Sequence, residues 1–215
     1  MMERTDTGNS LTVRLIRWGG LANVIGGIAV ALAYVLHPPS APPEVVGSPF
    51  WVFVHAVFLV SLLGGIFGLF ALLAAYLEKG GGLLGFAGCA MAVVSLVLIA
   101  GLDYSEVFIF PTLAKEFPAV VEKYGAGDQM PSVAFAFPAS GLLFLAGYLL
   151  FSNELRRAVT VPAPGAWVTL AGVAAFAVGL SGQVPMLVTR AGAVVFGLGL
   201  VMMGWALARW HGSRA

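Results

Sequence analysis

Residues 50–77 read FWVFVHAVFLVSLLGGIFGLFALLAAYL, and this stretch decides the fold. Its only ionisable side chain before Tyr76 is His55. A helix of roughly 20 apolar residues crosses the ~30 Å hydrocarbon layer of a bilayer. The stretch is longer than that and lacks the alternation of polar and apolar residues that marks a strand of a membrane barrel. It therefore predicts a transmembrane helix.

The remainder of the chain repeats this pattern five times. Hydrophobic residues make up 60% of the 215 residues and charged residues 10%, with a mean hydropathy of +0.95, whereas soluble domains are about a quarter charged. We therefore predict an all-α membrane protein with a single six-helix transmembrane domain over 18–208, a head over 1–17 and a tail over 209–215. The predicted spans are about 18–36, 50–77, 83–110, 133–151, 166–184 and 191–208.

Two features of the loops and spans have structural consequences. The longest loop, about 112–132, is mixed in charge and is expected to hold a short surface helix near 113–124. Pro138 lies inside the fourth span, where proline removes a backbone hydrogen bond and is expected to kink the helix.

The distribution of lysine and arginine predicts the orientation in the membrane. With the N-terminus in the cytoplasm, eight of the 11 basic residues lie on the inner side and three on the outer side, as the positive-inside rule requires. We therefore expect both termini in the cytoplasm and the protein in the plasma (inner) membrane. Trp51 and Tyr34 are expected in the outer aromatic belt.

Several classes of protein are excluded or disfavoured. A net charge of +1 gives no basic surface for nucleic acid, so the bilayer is the expected partner. The glycines form no phosphate-binding loop, and no G-x-S-x-G motif is present. No span contains a lysine that could bind retinal or an arginine series that could sense voltage. An enzyme is therefore not the favoured class.

Small residues on the spans indicate close helix packing. Gly64 and Gly68 form a G-x-x-x-G motif, which lets helix backbones approach closely. The motif has two interpretations, a homodimer face or packing within one six-helix bundle, and the second is favoured.

Ionisable groups inside spans are costly, so they are candidates for function. In the predicted topology, six polar or ionisable residues fall towards the outer end of the bundle, whereas Asn23 lies early in the first span and the serines are scattered. The six residues are His37, His55, Asp103, Glu106, Gln183 and Arg190. We therefore predict one polar site that opens to the outer face, with ligand or ion binding by His55, Asp103, Glu106 and Gln183.

Asp103 and Glu106 are three residues apart and would share one face of a helix. Two carboxylates that close repel each other, which favours a proton or cation between them. The alternative is that both are solvated at the headgroup level, where the third helix leaves the bilayer.

Three functions from different classes remain open. The first is binding or transport of a small molecule, proton or cation at the polar site. The second is a haem or metal protein: His37 and His55 could both ligate a haem iron, or His55 could hold zinc with Asp103 and Glu106. The third is an accessory subunit of a larger membrane complex.

Overall fold

The computed structural model describes residues 11–124, 130–180 and 184–212, and within these ranges every regular element is a helix. Six helices are long and apolar enough to cross a membrane, which confirms the predicted all-α, multi-pass membrane fold. They are α1 (Leu11–Leu36), α3 (Pro49–Glu78), α4 (Leu83–Phe108), α7 (Pro131–Arg157), α8 (Ala163–Leu180) and α9 (Met186–Ala208).

Three short helices join the spans at one end: α2 (Pro43–Val46), α5 (Phe110–Glu116) and α6 (Pro118–Tyr124). The single surface helix expected near 113–124 is therefore two helices, which break at Phe117. Proline disfavours the helical conformation in the residue before it, and Phe117, which precedes Pro118, has φ −136° and ψ 60°.

The helix boundaries differ from the predicted spans mainly at the ends. The first span begins at Leu11 rather than at 18, and the fourth continues to Arg157 rather than to 151. Hydropathy marks the part of a helix that lies in lipid, whereas the helix itself continues into the interface. The predicted end of the fifth span includes residues 181–183, which lie outside the described ranges. α7 is helical on both sides of Pro138, and the predicted kink stays a prediction.

The six long helices form a closed ring in chain order. Each packs against the next, and α1 also packs against α9. Glycines allow the closest approach between α1 and α9: Gly20 lies against the carbonyl of Gly204, and Gly27 against the carbonyl of Gly197. Because the earlier glycine on α1, Gly20, meets the later one on α9, Gly204, the two helices are antiparallel.

The G-x-x-x-G motif packs inside this ring. A Cβ at Gly64 would meet the backbone of Ala22 and Gly26, and one at Gly68 would meet the side chain of Asn23. All three contacted residues lie on α1. The preferred interpretation, packing within one bundle, is confirmed for this motif.

The two ends of the ring differ in composition. One, here called the basic end, carries most of the described cations: Arg14, Arg17, Lys79, Arg156, Arg157 and Arg209. The other, here called the polar end, carries His37, His55, Asp103, Glu106 and Arg190. Large apolar side chains such as Phe67 (62% exposed) and Leu98 (43%) face outwards between the ends, where lipid would cover them.

Candidate functional site

His55 and Asp103 form the centre of the polar end. Nδ1 of His55 and Oδ1 of Asp103 are 2.7 Å apart. The two residues are 7% and 4% exposed, so the hydrogen bond is shielded from water. His55 lies near the start of α3 and Asp103 near the end of α4. Since the two helices are adjacent and run in opposite directions, these positions meet at the same depth.

The hydrogen bond determines the protonation of one imidazole nitrogen. A carboxylate only accepts, so Nδ1 of His55 carries the hydrogen when Asp103 is ionised. The other nitrogen, Nε2, and the other carboxylate oxygen, Oδ2, are buried and find no hydrogen-bond partner within the described residues. The pair therefore keeps one proton-accepting position on each member.

Aromatic rings enclose His55. Its ring centroid lies 4.4 Å from that of Trp51 and 5.1 Å from that of His37. Nδ1 of His37 donates to the carbonyl of Pro38 at 2.7 Å, and Arg190 donates to the carbonyl of His37 at 3.1 Å. His37 lies just beyond α1, and burial, followed by the proximity of His55, lowers its pKa below the ordinary value. The neutral form of His37 is therefore favoured beside His55.

Glu106 is half-buried one turn beyond Asp103. Its carboxylate interacts electrostatically with His55 and Asp103 and approaches the indole of Trp51 without completing a hydrogen bond to its Nε1, which has no partner in the described part of the chain. The two carboxylates thus belong to one cluster with His55, and Asp103 is the buried member. The alternative in which both are solvated at the headgroup level does not fit Asp103.

The short helices cover one side of this cluster, at Trp51. Trp51 is only 3% exposed and packs against Val46 of α2, Ala114 of α5 and Val121 of α6. Its predicted place in an aromatic belt is therefore wrong, because α2, α5 and α6 bury it. His37 and Glu106 keep partly exposed side chains at the same end, and the opening of the site to the outer face stays a prediction.

The geometry supports neither the predicted metal site nor the predicted haem site. Among the described residues, no group of three or more histidine, cysteine, aspartate or glutamate side chains is arranged to hold a metal ion, so the zinc interpretation gains no support. His37 and His55 contact each other and Trp51 directly. They therefore leave no space for a haem macrocycle between them, and the bis-histidine haem does not fit.

The structure brings together four of the five predicted site residues, His37, His55, Asp103 and Glu106, and Gln183 lies outside the described residues. Two further members were not assigned to the site from the sequence: Trp51, which packs on His55, and Tyr34, whose ring stacks on that of His37. Helical spacing is the signal that could have found them, because Trp51 precedes His55 by four residues and Tyr34 precedes His37 by three.

Comparison of the chain with protein-family models, with curated protein sequences and with solved structures finds no match.

Proposed function

We propose that this multi-pass membrane protein binds a proton at the His55–Asp103 pair and uses the resulting change of charge in binding or transporting a small molecule. The observation that carries the proposal is the buried 2.7 Å contact between the two side chains. Ionisable groups inside spans commonly mark proton relays and substrate pathways. A histidine is suited to this role because its charge changes at physiological pH.

A proton fits the pair better than a metal ion or a polar solute does. A metal ion needs several ligands in a defined geometry, and the described residues contain no such group. A polar solute would have to reach Nε2 of His55 and Oδ2 of Asp103, which are both buried. A proton needs only an acceptor atom, and Nε2 of His55 and Oδ2 of Asp103 are such atoms.

The exchange route that we propose runs through Glu106 and the polar end. Glu106 is the half-buried carboxylate of the cluster and interacts with both members of the pair. We further propose that this end faces outwards and that both termini are cytoplasmic, because the described basic residues concentrate at the opposite end. We also propose a plasma (inner) membrane location. Reporter fusions to the C-terminus test the orientation, and an external reporter would contradict it.

Isotope labelling tests proton binding directly, because the chain has three aspartates and three histidines. Protein labelled with ¹³C-aspartate and ¹⁵N-histidine is reconstituted in lipid nanodiscs, and NMR spectra are recorded between about pH 5 and 8. We expect the Asp103 and His55 signals to change together, because two strongly interacting groups titrate as one coupled pair.

Variants assign the signals and provide the controls. Asp103→Asn is expected to remove one aspartate signal and to alter the response of His55. His211→Asn, a matched substitution at the basic end, should remove only its own signal. If both pair signals stay constant over the whole range, or if Asp103→Asn leaves His55 unaffected, the proposal is wrong.

A further inference from the structure

A cavity of about 500 Å³ lies inside the ring, next to the polar pair. On α3 its wall includes Phe58 and Leu62, which follow His55 by three and seven residues. On α4 it includes Leu96 and Ile99, which precede Asp103 by seven and four. Residues at these spacings share one face of a helix. The helix faces that carry the pair therefore continue as the walls of the cavity, towards the middle of the membrane.

The wall is predominantly apolar and aromatic, with few groups free to orient a ligand. Two serines of the wall, Ser61 and Ser140, donate their hydroxyl hydrogens to carbonyls of their own helices, at 2.7 and 2.8 Å. The other hydroxyls on the described wall are those of Tyr34, beside the polar pair, and Tyr148, deeper in the bundle. A ligand would thus find hydrogen-bond donors near each end of an apolar chamber.

The size of the cavity restricts the occupant. Gly26 and Tyr34 both line it, and eight residues of helix span about 12 Å. The cavity therefore extends about 12 Å along α1. Small-molecule sites typically measure about 300–1,000 Å³. Since apolar cavities do not retain water well, a lipid-soluble molecule is the occupant that this wall favours.

The charge at the polar end restricts the head group of such a molecule. Tyr34 stacks on His37, which contacts His55, the partner of Asp103, so a head group beside the Tyr34 hydroxyl would lie at the end of the cavity that is nearest to that carboxylate. An anionic head would be repelled there. An uncharged carbonyl or hydroxyl group can accept a hydrogen bond from Tyr34 without this cost.

The bundle offers a way in from the lipid. Phe137 and Leu142 on α7 line the cavity and are also 45% and 68% exposed. Among neighbouring spans, α7 and α8 have the sparsest contact. A hydrophobic molecule can therefore reach the cavity sideways through the α7 side of the ring, without passing the helices that cover the polar end.

We propose that this cavity binds an uncharged, single-chain lipid-soluble molecule, whose carbonyl or hydroxyl head lies at Tyr34 and whose chain extends towards Tyr148. The site is separate from the proton site proposed above. Loss of ligand binding and loss of the coupled NMR signals are therefore independent results, and either can fail alone.

Photolabelling in lipid nanodiscs tests the proposal. The probe is a straight-chain dodecyl ketone with a diazirine at the end of its tail, and the labelled residues are mapped by mass spectrometry. We expect labelling near Tyr148 and Leu200, deep in the cavity. An excess of unlabelled dodecyl ketone should suppress it. Lipid-facing residues such as Phe67 should be labelled only non-specifically, so the competitor should not reduce their labelling.

Two glycines provide a matched pair of variants. A Cβ at Gly141 or at Gly101 meets nothing within 4 Å, yet only Gly141 lines the cavity. Gly141→Leu is expected to reduce the suppressible labelling by about fivefold or more, because it fills the space, whereas Gly101→Leu should not change it. Tyr34→Phe should weaken competition by the ketone about three- to tenfold, through the loss of one hydrogen bond.

The competition measurement uses the unmodified protein, so it still tests the proposal if the Gly141→Leu variant fails to fold. Labelling that competitor does not suppress would overturn the proposal. Equal labelling of Phe67 and the deep residues, or full labelling in a folded Gly141→Leu variant, would overturn it as well.

Discussion

Replacing both members of the polar pair with apolar residues is expected to cost the bundle little or no stability, whereas replacing either one alone is costly. The perturbation is His55→Leu combined with Asp103→Val. Both side chains lie within the bundle, at 8% and 3% exposure, so each loses its only described hydrogen-bond partner when the other is removed.

The magnitudes follow from this burial. His55→Leu leaves a buried carboxylate unpaired, which costs about 3–5 kcal/mol of unfolding free energy. Asp103→Val leaves Nδ1 of His55 without an acceptor, at about 1–3 kcal/mol. Apolar replacement of a whole buried ion pair is often neutral or stabilising, by about 1–4 kcal/mol. The two substitutions should therefore show a coupling energy of about 4 kcal/mol or more.

The assay is a double-mutant cycle, in which the unfolding free energy of each variant is measured by denaturant titration in mixed micelles. The control cycle uses Glu154 and Arg157, which are 3.1 Å apart at the basic end. Arg157 is 62% exposed in its side chain, so this pair should couple by only about 0.3–0.5 kcal/mol. A coupling energy below about 1 kcal/mol between His55 and Asp103 would refute the reasoning.

Two further predictions concern packing and pH. Gly68→Ala should destabilise the bundle by about 1–3 kcal/mol, because the new methyl group meets Asn23, which is held by its 2.8 Å hydrogen bond to the carbonyl of Leu200. Gly101→Ala, which has free space, should cause no loss, and an equal loss in both variants would contradict the argument. Burial lowers the pKa of His37, so below about pH 6.5 the unfolded chain binds more protons and acid should reduce the unfolding free energy. His37→Asn should reduce this acid sensitivity and His211→Asn should not; an unchanged pH profile in His37→Asn would contradict the assignment.

The fold could be predicted from the sequence because hydropathy is a local signal. The run at 50–77 and its five counterparts each specify a span without reference to any other part of the chain. The end of α5 at Phe117 could also have been predicted, because Pro118 disfavours a helical conformation in the residue before it. The ends of α1 and α7 could not, because the interface tolerates helical residues that hydropathy does not score.

The sequence predicted the depth of the candidate site in the membrane, but not the contacts between its side chains. His55, Asp103 and Glu106 were grouped because their predicted depths are similar, and the contact between His55 and Asp103 agrees with that grouping. The covering of Trp51 by Val46, Ala114 and Val121 was not predictable, because it depends on how three short helices fold back over the bundle. The cavity was not predictable from the sequence either, because it results from the spacing of the helices rather than from any motif.

The adjacency of pair and cavity gives the two proposals a physical connection. One helical turn is 5.4 Å, and two unit charges at that separation repel by about 3 kcal/mol at an effective dielectric constant of about 20. At a separation of one helical turn, an ionised Asp103 would therefore disfavour an anionic head group by a factor of about one hundred. An uncharged head has only a dipole to interact with Asp103 and is affected much less. When a proton neutralises the pair, this barrier disappears. The charge of the His55–Asp103 pair would therefore select against anionic head groups in the neighbouring cavity, whereas binding of the uncharged molecule proposed above should depend little on the protonation of the pair.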